Sequence, residues 1–208
     1  MKKMFIAALL GICTFSGYAQ KKNVSLGIVG GFGYSWIKGG AGDNQYNPSG
    51  SFGGKIMYSA QEHIGISADI LYSIEGGTKA LEGLDSKTRL NYLRIPVTGS
   101  YFFGQFGDRL RPKVSLGPSV GFLMGGQQEI NGIVDETIKD QFKKIDFGIH
   151  ANAGLHYRIV SNTWLVGDIQ YYHGLTDISE VSTNNKNRNI GLNVGVMFGI
   201  GTYKENQR

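Results

Sequence analysis

The chain has 208 residues, a formal net charge of +5 and a single cysteine. That charge is small and scattered, with none of the basic stripes a nucleic-acid-binding surface presents, so nucleic acid is excluded as a partner. The cysteine, Cys13, lies inside the N-terminal leader, so disulfide and thiol chemistry are excluded for the chain that follows.

The leader comes first. Lys2 and Lys3 form a positive start, residues 4–15 an apolar run, and Gly17-Tyr18-Ala19 a small-x-small site. This is the pattern of a secretory signal peptide spanning 1–19, cleaved between Ala19 and Gln20. The apolar run is well short of the roughly 20 residues a spanning helix needs. Ile12 precedes Cys13 where lipid attachment requires a small residue. Residues 20–208 then form one exported domain.

From there the apolar residues recur with a period of two, which marks strands. The first runs over 24–37, with Leu26, Ile28, Phe32, Tyr34 and Trp36 on one face and Ser25, Gly27, Gly31, Gly33 and Ser35 on the other. The second, 51–59, sets Phe52, Ile56 and Tyr58 against Lys55 and Met57, and the third, 64–74, sets Ile66, Ile70 and Tyr72 against Ser67 and Asp69. The fourth and fifth, 92–103 and 113–124, oppose Leu93, Val97 and Tyr101 to Arg94, and Val114, Leu116 and Phe122 to Ser115 and Ser119. The sixth, 145–157, carries Phe147, Ile149 and Leu155 against Asp146, His150 and His156; the seventh, 164–175, is marked by Asp168 and Gln170. The eighth, 189–201, alternates Ile190, Leu192, Val194 and Phe198 with Gly191, Asn193 and Gly195. Most are near the 9–11 residues of a tilted membrane strand.

The connections alternate long and short: 38–50, 60–63, 75–91, 104–112, 125–144, 158–163 and 176–188. Short periplasmic turns and long extracellular loops on an even number of strands are the arrangement of outer-membrane barrels. With both ends in the periplasm, every long connection falls outside the cell. Mean hydropathy is only −0.16, but alternation hides a barrel's hydrophobicity from averages.

A soluble ligand-binding barrel of the lipocalin kind also alternates, so the polar face decides. It is mostly Gly and Ser with single charges, which suits the crowded interior of an eight-stranded barrel. A water-facing surface would carry more Lys, Glu and Thr. The aromatic residues of the apolar face gather near strand ends, as in interfacial girdles. The fold class expected is therefore all-β, an eight-stranded antiparallel transmembrane up-and-down barrel in the cell outer membrane. Pro96 and Pro118 fall inside strands, where a missing N–H interrupts the ladder and a bulge is the usual relief.

Tyr92-Leu93-Arg94-Ile95-Pro96-Val97, Leu116-Gly117-Pro118, Asp146-Phe147-Gly148, Gly154-Leu155-His156-Tyr157, the stretch from Tyr171 through Gly174-Leu175-Thr176-Asp177-Ile178, and Arg188-Asn189-Ile190 resemble the PorT-like outer-membrane β-barrel family over essentially the whole exported chain. The resemblance implies a barrel in a membrane and supplies no catalytic residues. The family pattern carries Arg before the first tyrosine of the long stretch, where this chain has Gln170.

Candidate chemistry is sparse. His150 and His156 share a face but stand roughly 20 Å apart along a strand, and His63 and His173 have no neighbour at ligand spacing, so no metal is expected. His173 lies near the outer-leaflet level that a lipid-modifying enzyme would use, but it has no evident serine partner. No cofactor is expected and the chain is read as not an enzyme. One structural cluster is expected in the bore: the turn at 60–63 sets Lys55 opposite or diagonal to Asp69, and centring the third connection near Glu82 brings Arg94 to Asp69 as well. The functional expectation is a monomer embedded in outer-membrane lipid, with a structural or surface-interaction role through its extracellular loops and an envelope complex as its setting. The alternatives are a small pore and a soluble periplasmic ligand-binding barrel.

Overall fold

The computed structural model describes residues 24–39, 43–81, 84–130, 132–135, 138–181 and 184–200. The cleavage site at Ala19 and Gln20 lies outside the described residues. Strands β1 (Val24–Lys38), β3 (Asn47–Ser59), β4 (Ile64–Leu81), β5 (Leu84–Phe102), β6 (Leu110–Ile130), β8 (Ile145–Val160), β9 (Thr163–Gly174) and β10 (Lys186–Ile200) form a closed antiparallel barrel. Two short strands, β2 (Asp43–Gln45) and β7 (Ile133–Asp135), flank it on β4 and β6. Each barrel strand pairs with its chain neighbours, and β1 closes the ring on β10 in a register running from Val24↔Ile200 to Lys38↔Lys186.

The alternation read from the sequence sets which face looks in. Ile28, Ile66, Ile70, Leu116, Ile169 and Val194 stand exposed on the outer wall, while Lys55, Asp69, Arg94, Lys113, Asp146 and Asp168 are buried on the inner one. In water the first set would form an untenable apolar surface. In lipid it is the solvent-matched one.

The inner wall of β1 is rich in glycine. Gly27, Gly31 and Gly33 look inward, and a Cβ at Gly27 or Gly33 would run into the carbonyl of Val196 or Ile190 on β10. The wall curves so tightly at this seam that neighbouring backbones crowd on its concave side.

Two expectations need correction. The connection 75–91 is not an open loop: β4 and β5 stay paired from Glu75↔Leu90 out to Leu81↔Leu84. Likewise β6 runs to Ile130 and returns through β7 before the 3-10 turn Ile138–Gln141. Hydrogen bonding of the ladder continues past the membrane, although the lipid-facing apolar signal stops there. The prolines also behave otherwise. The β4–β5 register lapses beside Pro96, between Ala68↔Val97 and Leu71↔Arg94, and resumes without a shift. The β5–β6 register does the same between Pro96↔Ser119 and Gly99↔Leu116, beside Pro118. The ladder simply omits the missing N–H. In the β5–β6 ladder a register shift falls instead between Asn91 and Tyr92, where β5 leaves the cylinder.

The bore is closed at both ends by apolar side chains. At the short-turn end Met57, Phe102, Val166 and Met197 pack with Trp164. At the long-hairpin end Ile37, Leu90, Tyr92 and Leu123 receive Ile138 from the 3-10 turn and Ile178 from the segment after β9, with Phe142 alongside. Full burial of Ile138 and Ile178 contributes about 1.5–3 kcal/mol each.

Candidate functional site

Between the two plugs lies a charged interior in two layers. In the lower layer, β3 and β4 place Lys55 directly opposite Asp69, and Lys55 Nζ lies 2.9 Å from the Asp69 carboxylate. A second pair, Lys113 and Asp168 at 2.8 Å, faces it from β6 and β9. Each cation is matched by a carboxylate within the layer, which is what permits charge in so confined a place.

The upper layer centres on Arg94. Its Nε donates to Glu75 Oε1 at 2.6 Å and its Nη2 to Glu75 Oε2 at 2.7 Å, a bidentate fork. Nη2 also reaches Asp146 Oδ2 at 3.0 Å. The guanidinium carbon lies 3.9 Å from the Tyr172 ring centre and 5.1 Å from that of Tyr92. Glu75 is held further by Ser73 at 2.8 Å and by Asn187 Nδ2 at 2.7 Å.

The expected cluster of Lys55, Asp69 and Arg94 is therefore corrected. Lys55 and Asp69 meet, but Arg94 does not join them. Across the ladder Arg94 sits opposite Leu71, so Asp69 lies toward the short-turn end, and the long side chain extends the other way to Glu75 and Asp146. Glu75 was missed because it was assigned to a connection. The parity Asp69, Leu71, Ser73, Glu75 would have found it once β4 was allowed to continue.

A lid follows from the same residues. Thr176 Oγ1 donates to Asp146 Oδ1 at 3.2 Å while the Phe147 amide donates to Thr176 Oγ1 at 2.9 Å. The next residue, Asp177, accepts the amides of Ser179, Asn184 and Asn185 at 3.1, 2.8 and 3.1 Å. Desolvation works against that carboxylate, but these amides outweigh it and hold the Asp177 carboxyl below its ordinary range. The turn so fixed places Ile178 in the upper plug. Gln170, standing where the resembled pattern has Arg, accepts Asn193 Nδ2 at 2.7 Å and donates to Asn189 at 3.4 Å, so it forms neutral links instead of an ion pair.

The histidines separate. His150 and His156 are buried in the bore on β8. His173 lies on the outer wall, its Nε2 3.0 Å from Arg188 Nη2 and its Nδ1 3.4 Å from the Tyr171 hydroxyl. His63 bonds the Phe102 carbonyl. Among the described residues no group of His, Cys, Asp and Glu is disposed to hold a metal ion.

These motifs, scattered in the chain, meet in one place. Tyr92 and Arg94, Asp146, then Tyr172, Thr176 and Ile178 all line the upper end of the bore, with Asn187 closing the network just before Arg188. The arrangement binds strands β4, β5, β8, β9 and β10 to a lid. Chemically it locks; it offers no exposed nucleophile.

Comparison with known proteins agrees with this geometry. The chain resembles the crystal structure of Neisserial surface protein A (NspA) with TM-score 0.58 and 14% identity over 86% of this chain and 97% of that one. It resembles outer membrane protein OprG from Pseudomonas aeruginosa with TM-score 0.54 and 12% identity over 87% and 98%. At such identities the likeness is one of fold. No curated protein matches the sequence. The sequence pattern described as "Outer membrane protein beta-barrel domain" matches residues 18–180, and with an apolar belt around a closed eight-stranded cylinder, the chain belongs to that family and resides in the outer membrane.

Proposed function

We propose that this protein is a non-enzymatic barrel of the PorT-like branch, with a structural or surface-interaction role exerted through its extracellular hairpins as an accessory of a larger envelope complex. The observation that carries this reading is the bore sealed by apolar side chains at both ends, with paired charges between. Such an interior argues against an open aqueous channel, which favours the β4–β5 and β6–β7 hairpins as the surface available for work. Ile133 and Val134 stand exposed there, as a contact surface requires. The convergence of the resembled motifs on one lock supports the PorT-like assignment.

The test is site-specific photocrosslinking in intact cells from Lys87 and Ile133 on the hairpins, with Glu62 at a short turn and Ile28 in the lipid belt as references. A discrete protein adduct from the hairpin positions, absent at the references, is expected. Adducts from Glu62 alone, or from none of the positions, would refute the role assigned to the hairpins. Steady conductance of the purified barrel in planar bilayers would favour the pore instead.

A further inference from the structure

On the outer wall at the long-hairpin end, β1 and β10 set Lys38 directly opposite Lys186. One ladder step below, Trp36 faces Arg188, and one further Tyr34 faces Ile190. Like charges placed directly across a strand pair repel. Among the described residues neither lysine lies within ion-pair distance of an acid. Arg188 adds a third positive charge. It is buried and fixed, donating to the carbonyls of Gly174 at 2.6 Å and Asn187 at 2.9 Å and to His173 Nε2 at 3.0 Å. Because Nε2 accepts from a guanidinium that carries only donors, His173 is neutral with its proton on Nδ1. It supports Arg188 without adding to the repulsion.

Height decides what satisfies this charge. Tyr34 and Ile190 are exposed on the apolar belt, Trp36 packs edge-on against Tyr46 with centroids 5.0 Å apart, and the lysines come next. That order, from aliphatic through aromatic to cation, runs from lipid tail to headgroup. The neighbouring cleft of about 480 Å³ over β8 also has lysines (Lys139, Lys143 and Lys144), but Asp140 and Glu180 share it and offset part of their charge.

We infer that Lys38 and Lys186, backed by Arg188 and Trp36, form a binding site for the phosphate group of an outer-leaflet lipid. A phosphate between the two ammonium groups accepts from both and removes their repulsion, while the acyl chains lie along Tyr34 and Ile190. The site rests on this end of the barrel lying in the outer leaflet and needs no protein partner, so the crosslinking result and this one fail separately.

The test uses the refolded full barrel in phosphatidylcholine nanodiscs doped with bis-phosphorylated lipid A or with its dephosphorylated counterpart. Lipid retained per barrel is counted by native mass spectrometry, and folding is checked by heat-modifiable mobility. Wild type should prefer the phosphorylated lipid by about thirtyfold, as two lysines at about 1 kcal/mol each provide at an anionic surface. The Lys38→Gln/Lys186→Gln variant should lose that preference; Lys38→Arg/Lys186→Arg and, on the far wall, Lys87→Gln/Arg89→Gln should keep it. Lys38→Glu should lose the lipid yet raise the unfolding midpoint in zwitterionic detergent, because it turns the opposed lysines into an ion pair. Equal retention by wild type and the Gln variant, displacement of the lipid by excess inorganic phosphate, or no rise in midpoint for Lys38→Glu would each overturn the assignment.

Discussion

Replacing Arg94 with Met removes one guanidinium and leaves two carboxylates, Glu75 and Asp146, buried near one another. Breaking one buried pair by deleting a partner costs about 3–5 kcal/mol. Here Glu75 keeps Ser73 and Asn187 as donors and Asp146 keeps Thr176, so neither is bare, but both lose their only charged partner in the network. The expected loss is therefore at the upper end of that range, about 5 kcal/mol, including the stacking on Tyr172. Arg94→Lys should cost less, about 1.5–3 kcal/mol, since an ammonium keeps the charge and loses the fork. Adding Glu75→Gln to Arg94→Met should recover part of the loss, because one stranded charge disappears. Urea unfolding of the refolded barrel in lipid vesicles, followed by fluorescence of Trp36 and Trp164, measures all of these. A loss below about 1 kcal/mol for Arg94→Met, or strict additivity with Glu75→Gln, would show that water in the bore solvates these groups separately.

Other outcomes follow from the same geometry. Arg at Ile28, Ile66 or Val194 should cost about 2–4 kcal/mol each in lipid; unchanged folding and membrane insertion for all of them would refute the lipid-facing wall. Single cysteines at Ile133 and Val181 should react with an impermeant maleimide on intact cells, and one at Glu62 only after the envelope is disrupted; the reverse order would invert the topology. Because the Asp177 carboxyl is held below its ordinary value, its support of the lid is complete above the unfolded-state value near 3.8 and is lost as pH falls through the lower folded-state value. Protection of the Ile178 and Asn185 amides, taken relative to their intrinsic exchange rates, should therefore fall at acid pH in wild type and be low at every pH in Asp177→Ala. A lid insensitive to both would mean that Ile178 alone holds it.

The strands, their facing and the side to which the long connections fall were legible because a membrane wall enforces a strict period of two on both faces. Outside the membrane that enforcement ends. Gly76, Thr78, Lys87 and Arg89 show no apolar alternation, so the extension of β4 and β5 reads as a loop, although backbone pairing carries on. That one misreading hid Glu75, and with it the true partner of Arg94. Lys55 and Asp69 were legible because a tight turn fixes the register between them. Asp146 was not, since its contact with Arg94 spans barrel strands that no short turn relates. The lid was visible only as a motif: nothing in Gly174-Leu175-Thr176-Asp177-Ile178 by itself says that the isoleucine turns back into the cylinder.

The glycine-rich inner wall of β1 bears on how the cylinder can be completed. Its edges, the first and last strands, meet where the inner surface presents hydrogen atoms in place of side chains, at Gly27, Gly31 and Gly33 against β10. At these three positions, rejoining the edges is mostly a matter of backbones sliding into register. The side chains that interlock along the seam sit mainly toward the two ends, Ile37 and Asn187 above and Met197 below, and the bulky charged residues that fill the bore come from the other strands. A single methyl group at Gly33 would press on the Ile190 carbonyl, so its effect should fall on the rate of closure before it is felt in the packed interior, and the seam works as a smooth clasp.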